Sequence, residues 1–297
     1  MSAFLLALAL AAPAAQVRTR DVIYGRKFGM ALTMDVFQPK KPNGKGVVLV
    51  VSGGWFSSAE AIQPAIAGPF LARGYTVFAV VHGSQPKFTL TEIIDDLHRA
   101  VRFIRHNAKK WAIDPERIGI TGGSAGGHLS LMMGTAGKPG DPKAADPVDR
   151  ESSAVQAVGA FCPPCDFLNW KKEGDVKVDR EMRVPFTAAV DYHEFDPKKA
   201  MYFRVTDKEK LKRIGKDVSP YWHVKKGSAP ALILHGDKDD LVPYFQATRM
   251  LARLKEAGVP CKLETREGAG HVWATFFLDL VLITDWFDEH LLGKKGE

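Results

Sequence analysis

The stretch Ile118-Gly119-Ile120-Thr121-Gly122-Gly123-Ser124-Ala125-Gly126-Gly127-His128-Leu129 decides the fold. Residues 117–121 predict a buried strand, 122–124 a turn and 125–135 a helix, with Leu129, Leu131 and Met132 on its apolar side. Gly122 to Gly126 spells G-x-S-x-G, and its position between strand and helix gives the motif meaning. A turn that sharp strains the residue at its apex. Its neighbours two residues away must lack bulk, as Gly122 and Gly126 do, and Gly127 allows the helix to pack close to the sheet. Ser124 then stands above the sheet at a helix N-terminus, where the unpaired Ala125 N–H can face a forming oxyanion. The Rossmann spacing G-x-G-x-x-G does not fit here, and no acidic residue follows at the distance that motif needs.

Working outward, residues 46–51 form an unbroken apolar run, the pattern of a strand covered on both faces. Ser52-Gly53-Gly54 ends it. Residues 59–72 carry a helical pattern, and 75–81 are a second buried strand closed by His82-Gly83. From 88 to 111, apolar residues recur at Leu90, Ile93, Leu97, Val101, Ile104, Ala108 and Trp111, steps that mark a long amphipathic helix. Strands are predicted at 155–161, 231–235 and 262–266, and helices at 244–257 and 272–291. Upstream, 21–24 and 32–37 read as a strand pair. Strand alternating with helix predicts an α/β fold: a mostly parallel central sheet with helices on both faces. The charged stretch of about 170–216 breaks the rhythm. It reads as a small insertion packed over the active-site edge of the sheet, within one domain over 16–297.

The chain has 297 residues, 45% apolar and 25% charged, a balance that excludes disorder, collagen and coiled coil. Lys+Arg 41 against Asp+Glu 34 leaves +7, but no basic stripe is interleaved with aromatics, so no nucleic-acid partner is expected. Residues 1–15 hold no charged side chain. The apolar run 4–12 and the small-residue pattern Ala12-Pro13-Ala14 predict a signal peptide cut near Ala14 or Ala15, and a secreted or periplasmic protein. No stretch approaches the ~18 apolar residues of a transmembrane helix, so no stable membrane insertion is expected. Three cysteines, Cys162, Cys165 and Cys261, make no disulfide framework. Cys162-Pro163-Pro164-Cys165 has redox-motif spacing but follows an apolar strand instead of opening a domain, which favours buried thiols. Without a histidine beside them in sequence they make a poor zinc shell, and no metal is expected.

A serine nucleophile needs a base and a carboxylate to orient that base. In chain order these follow as Asp or Glu, then His. His271 stands directly after strand 262–266, in the loop Glu267-Gly268-Ala269-Gly270, at the sheet end where such loops gather. His290, near the end of the last helix, reads as a solvated residue. The acid is sought after strand 231–235, where Asp237, Asp239 and Asp240 compete. Asp239, four residues before Pro243, is preferred. His235 reads as a satisfied core residue and His128 as packed beneath the nucleophile. His82 ends a strand on the active face and is a candidate for the pocket wall.

These motifs, with Ser219-Pro220, resemble the α/β-hydrolase superfamily over roughly 21–291, on its acetyl-esterase/lipase (BD-FAE-like) and prolyl-oligopeptidase-like side. Members often carry His-Gly-Gly-Gly-Trp after the first parallel strand. Here Val51 and Ser52 fill the first two positions, and Gly53, Gly54 and Trp55 the rest. The resemblance implies that Gly53 and Gly54 complete an oxyanion hole with Ala125. It also implies acyl transfer from Ser124 with His271 and Asp239, requiring no cofactor. Trp55, His82 and Phe167 are the candidate substrate contacts. A carboxylic ester, small or carbohydrate-linked, is the expected substrate. A prolyl-oligopeptidase-like peptidase and a non-catalytic binding protein on the same scaffold are the alternatives.

Overall fold

In chain order the strands are β1 (Val17–Lys27), β2 (Met30–Gln38), β3 (Gly46–Val51), β4 (Thr76–Val81), β5 (Ile118–Gly123), β6 (Ala157–Phe161), β7 (His193–Asp196), β8 (Met201–Arg204), β9 (Ala231–Gly236) and β10 (Cys261–Arg266). The helices are α1 (Pro64–Ala72), α2 (Leu90–His106), α3 (Ala125–Ala136), α4 (Lys208–Asp217), α5 (Pro220–His223), α6 (Phe245–Glu256) and α7 (Leu280–Phe287). The computed structural model describes residues 17–178, 182–183 and 185–293, so the predicted signal segment lies outside the described residues.

Eight strands form one sheet in the order β1-β2-β4-β3-β5-β6-β9-β10. β2 is antiparallel to both its neighbours, and every pair from β4 to β10 is parallel. The apolar runs explain this. In β3, Val48 and Val50 pack among Leu97, Val101 and Leu129 from α2 and α3, while Val47 and Leu49 pack among Phe70, Ile283 and Phe287 from α1 and α7. Side chains alternate across the strand, so a continuous apolar run feeds two cores at once. Among the described residues, no helix is long and apolar enough to cross a membrane.

Three predicted helices are clearly shorter than expected: α1 opens only at Pro64, after a short turn at Ala59–Ala61, and α2 and the final helix are cut back as well. α2 opens on a Thr89–Glu92 capping box and stops at Asn107, whose side-chain amide donates to Phe103 O at 2.9 Å. Ala108 and Trp111 continue the buried face through turns. The final helix begins only at Leu280. Asp279 accepts from Arg266 Nε at 2.7 Å, Arg266 Nη2 at 2.8 Å and Trp273 Nε1 at 2.6 Å, which folds 272–279 into turns beside β10.

The predicted insertion carries the β7–β8 hairpin and α4. Its entry is pinned from below by α6. Gln246, wholly buried, accepts the Cys165 and Asp166 N–H groups at 2.8 and 2.7 Å and donates to Asn169 O and Trp170 O. The buried Asp166 carboxylate accepts Arg249 Nε at 2.9 Å, Asn169 Nδ2 at 2.8 Å and Trp222 Nε1 at 3.1 Å. Removing the cation would leave a charge uncompensated in the interior. Arg249→Met is therefore expected to lower the unfolding free energy by about 3 kcal/mol in denaturant titration. An unchanged midpoint would show that this clamp does not hold the insertion.

Candidate active site

Gly122, Gly126 and Gly127 are required by close approach. A Cβ on Gly122 would lie 2.6 Å from Gly126 C, one on Gly126 2.9 Å from Val50 O, and one on Gly127 2.7 Å from Phe161 O. Ser124 itself is bent to φ 53°, ψ −117°, a strained conformation for a residue with a side chain. Its N–H donates to Phe161 O at 2.7 Å and its C=O accepts His128 N–H at 2.9 Å, so the backbone is fixed on both sides.

That geometry brings three remote side chains together. His271 Nε2 lies 2.9 Å from Ser124 Oγ, and His271 Nδ1 lies 2.7 Å from Asp239 Oδ2. Nδ1 faces a carboxylate, so it carries the proton, and Nε2 is left to accept from the serine hydroxyl. The Asp239 side chain is wholly buried. Burial alone would raise its pKa. Hydrogen bonds from His235 and His271, the His271 charge and the Val242 N–H outweigh that and hold it well below the usual carboxylate range. Asp237 accepts Gly268 N–H at 2.7 Å and so braces the loop that carries His271, while Asp240 lies on the cleft wall.

The serine opens into a cleft of about 520 Å³. Gly54, Trp55, Ala125, Pro164, Leu241 and Val242 line it from the body of the fold, and Trp170, Lys171, Asp175, Lys177, Met182, Arg183 and Phe186 from the insertion side. Among these, the sequence pointed to Gly54 and Ala125 as oxyanion donors and to Trp55 as a substrate contact. The insertion could be placed over the site from its charge and its position between core strands, but not which of its side chains turn inward.

Three sequence expectations change. Gly53 N–H donates to Phe56 O at 3.1 Å and is not available to an oxyanion. Among the described residues, Gly54 N–H and Ala125 N–H have no protein acceptor, and both residues line the cleft. His82 does not line the cleft. Its Nδ1 lies 2.8 Å from Gly83 O, so Nδ1 donates there, and its Nε2 accepts from Ser52 Oγ, also at 2.8 Å. Phe167 is fully buried behind the wall, tilted against Trp55 at 5.9 Å and edge-on to His128 at 5.3 Å. His128 in turn accepts Trp55 Nε1–H at 3.2 Å and donates from Nε2 to Val218 O at 2.7 Å.

The cysteines are free, with Cys162 and Cys165 buried. Burial, then the Asp239 charge, pushes the Cys162 thiol up, and burial, then the Asp166 charge, does the same for Cys165, which is the opposite of a reactive thiolate. Cys162, His235 and Asp239 offer ligand atoms within 4.8 Å of one another, a cluster invisible in the sequence spacing. Two of its members are already engaged: His235 Nε2 lies 3.1 Å from Asp239 Oδ2.

A family model, BD-FAE, matches residues 34–254. Esterase LipQ of Mycobacterium tuberculosis (strain ATCC 25618 / H37Rv) is 28% identical over 249 residues, covering 81% of this chain and 53% of the relative. The chain spans about half the length of the curated relatives that head the comparison. Among solved structures, a truncated carbohydrate esterase from gut microbiota superposes with a TM-score of 0.74 at 25% identity, covering 93% of this chain and 96% of that one. An acetyl ester-xyloside bifunctional hydrolase from Caldicellulosiruptor lactoaceticus gives 0.72 at 22% identity, covering 93% and 97%.

The buried histidines set an acid limit on the fold. Burial lowers His82 and His128 to about 4, below the ordinary 6.5 they regain on unfolding. Between those values the unfolded chain binds more protons, so stability falls as pH drops from about 6.5 to about 4. At pH 5 each is expected to cost roughly 2 kcal/mol relative to pH 8. Thermal unfolding at the two pH values checks this. A midpoint that is flat or rises toward pH 5 would contradict it.

Proposed function

The chain belongs to the BD-FAE family, and from that premise we propose that it is a serine hydrolase of carboxylic esters. One observation carries the reading. The chain of contacts Ser124 Oγ–His271 Nε2 and His271 Nδ1–Asp239 Oδ2, at 2.9 and 2.7 Å, opens directly onto the cleft.

The mechanism follows from the donors and acceptors. Ser124 Oγ attacks the ester carbonyl while His271 Nε2 takes its proton. Asp239 holds the imidazole ring and stabilises its positive form. The carbonyl oxygen becomes an oxyanion between Ala125 N–H and Gly54 N–H, each donor worth about 3 kcal/mol in the transition state. Collapse of the tetrahedral species breaks the bond to the alkoxide, and the proton on His271 goes to that oxygen. Water, deprotonated by His271, then attacks the acyl-enzyme. The acid is released and the serine restored.

The cleft supports a substrate class. Trp55, Trp170, Met182 and Phe186 give it an apolar, largely aromatic wall suited to an acyl group or a sugar ring, and Lys171 and Arg183 bring cations to it. A small acyl ester, acetyl or aryl, carried on a carbohydrate is the substrate we propose. The structural neighbours, a carbohydrate esterase and an acetyl ester-xyloside bifunctional hydrolase, point the same way. Export to the periplasm or the medium is part of the proposal and rests on the apolar run at residues 4–12.

Kinetics on three substrates test it: p-nitrophenyl acetate, an acetylated oligosaccharide and a prolyl-peptide amide. Turnover of both esters and not of the amide is expected. Ser124→Ala is expected to cut kcat by about 10⁶-fold without changing the thermal midpoint. Near-native hydrolysis by that variant, or preference for the amide, would overturn the reading.

A further inference from the structure

His235 lies in β9, four residues before Asp239, and is wholly buried. Its Nε2 is 3.1 Å from Asp239 Oδ2 and 2.8 Å from Val242 O. Neither neighbour can donate, so the proton sits on Nε2 and is shared between them. Nδ1 is then a bare acceptor. It is buried and has no partner among the described residues. An unpaired buried nitrogen is costly, so what the ring contributes lies on its Nε2 side. Its one donor serves the Val242 carbonyl and the carboxylate together.

The carboxylate shows why that donor is needed. Leu241 N–H and Val242 N–H, each at 2.9 Å, both go to Oδ1. The loop's own backbone therefore reaches Oδ1, and Oδ2 is held by two imidazoles. His271 Nδ1 approaches Oδ2 from the cleft side, and His271 must itself be held. His235 supplies the second fixed point on Oδ2. Its other contact, to Val242 O, ties that fixed point to the end of the same turn. The ring is steadied edge-on against Tyr244 at 5.8 Å, and Tyr244 is joined through its hydroxyl to Thr265 of β10 at 2.5 Å.

We propose that His235 is a positioning residue: a fixed Nε2–H donor that sets the plane of the Asp239 carboxylate so that Oδ2 meets His271 Nδ1 in the geometry proton transfer to His271 requires. The proposal rests on the ester-hydrolase reading for its effect on turnover, but its structural half concerns the resting protein alone.

The test uses His235→Leu, similar in volume and without a donor, and His235→Gln, whose amide nitrogen can reach the place of Nε2. With p-nitrophenyl acetate, His235→Leu is expected to lose about 10²-fold in kcat, the scale of a misplaced catalytic group, with KM unchanged. His235→Gln is expected to recover most of that loss. In the resting protein, the proton NMR signal of His271 Nδ1–H is expected to shift or broaden in His235→Leu and return in His235→Gln. A merely structural role would lower the thermal midpoint and leave that resonance and the split between kcat and KM untouched. Wild-type kcat in His235→Leu, or an unmoved Nδ1–H signal in that variant, would overturn the proposal. Should His235→Leu fail to fold, an unshifted signal in a folded His235→Asn, whose amide stops short of Asp239, would overturn it equally. If the wild-type protein turns over no ester but the signal still responds to His235, the ester-hydrolase reading fails and the positional claim stands.

Discussion

A carboxylate taken out of water takes up a proton unless hydrogen bonds replace the water it lost. Asp239 remains an anion in the interior because four donors converge on it: two backbone N–H groups on Oδ1 and two imidazoles on Oδ2. The surroundings are arranged to deliver them. The turn after β9 bends until Leu241 and Val242 present their N–H groups, and Asp237 braces the neighbouring loop through Gly268. The loop that follows β10 places His271 against the remaining side. Where the carboxylate points decides where the imidazole points, and the imidazole decides what the serine hydroxyl can do.

The serine is held by a different kind of constraint. At φ 53° Ser124 stores backbone strain of about 1–3 kcal/mol, and it stays there because the strand below and the helix above leave it no room to relax. Close approach of Gly122 to Gly126 and of Gly127 to Phe161 O packs α3 tightly onto the ends of β5 and β6. Strain and close packing thus place Ser124, while hydrogen bonds place Asp239 and His271. The cleft lies between these two rigid parts and the insertion, which is itself clamped through Asp166 and Gln246.

The sheet was legible because strands buried on both faces must be apolar throughout, and β3, β4 and β5 carry that mark. The serine turn was legible because only glycine fits within 3 Å of another backbone, so sterics left a trace in the residue types. Chain order and strand ends then narrowed the acid and base to Asp239 and His271, which the structure brings to hydrogen-bonding distance of each other and of Ser124. The failures have a common cause. Position at a strand end tells which end of the sheet a residue occupies, not whether its side chain faces the cleft or the wall. His82 turns toward Ser52, Phe167 lies behind Trp55, and the Gly53 N–H is taken by Phe56 O, all through contacts made by distant segments. His235 is wholly buried in β9, as its place in an apolar strand indicated; what the strand position did not tell is that its ring faces Asp239, four residues on.

The most direct test of the account is where a fluorophosphonate probe becomes attached. Such a probe forms a stable bond only with a serine whose proton is being removed and whose developing oxyanion is stabilised. Peptide mapping by mass spectrometry is expected to find one adduct, on Ser124, that disappears in His271→Ala. A folded protein that takes up no probe, or carries it on a different residue, would contradict the claim that Ser124, His271 and Asp239 act as one catalytic unit.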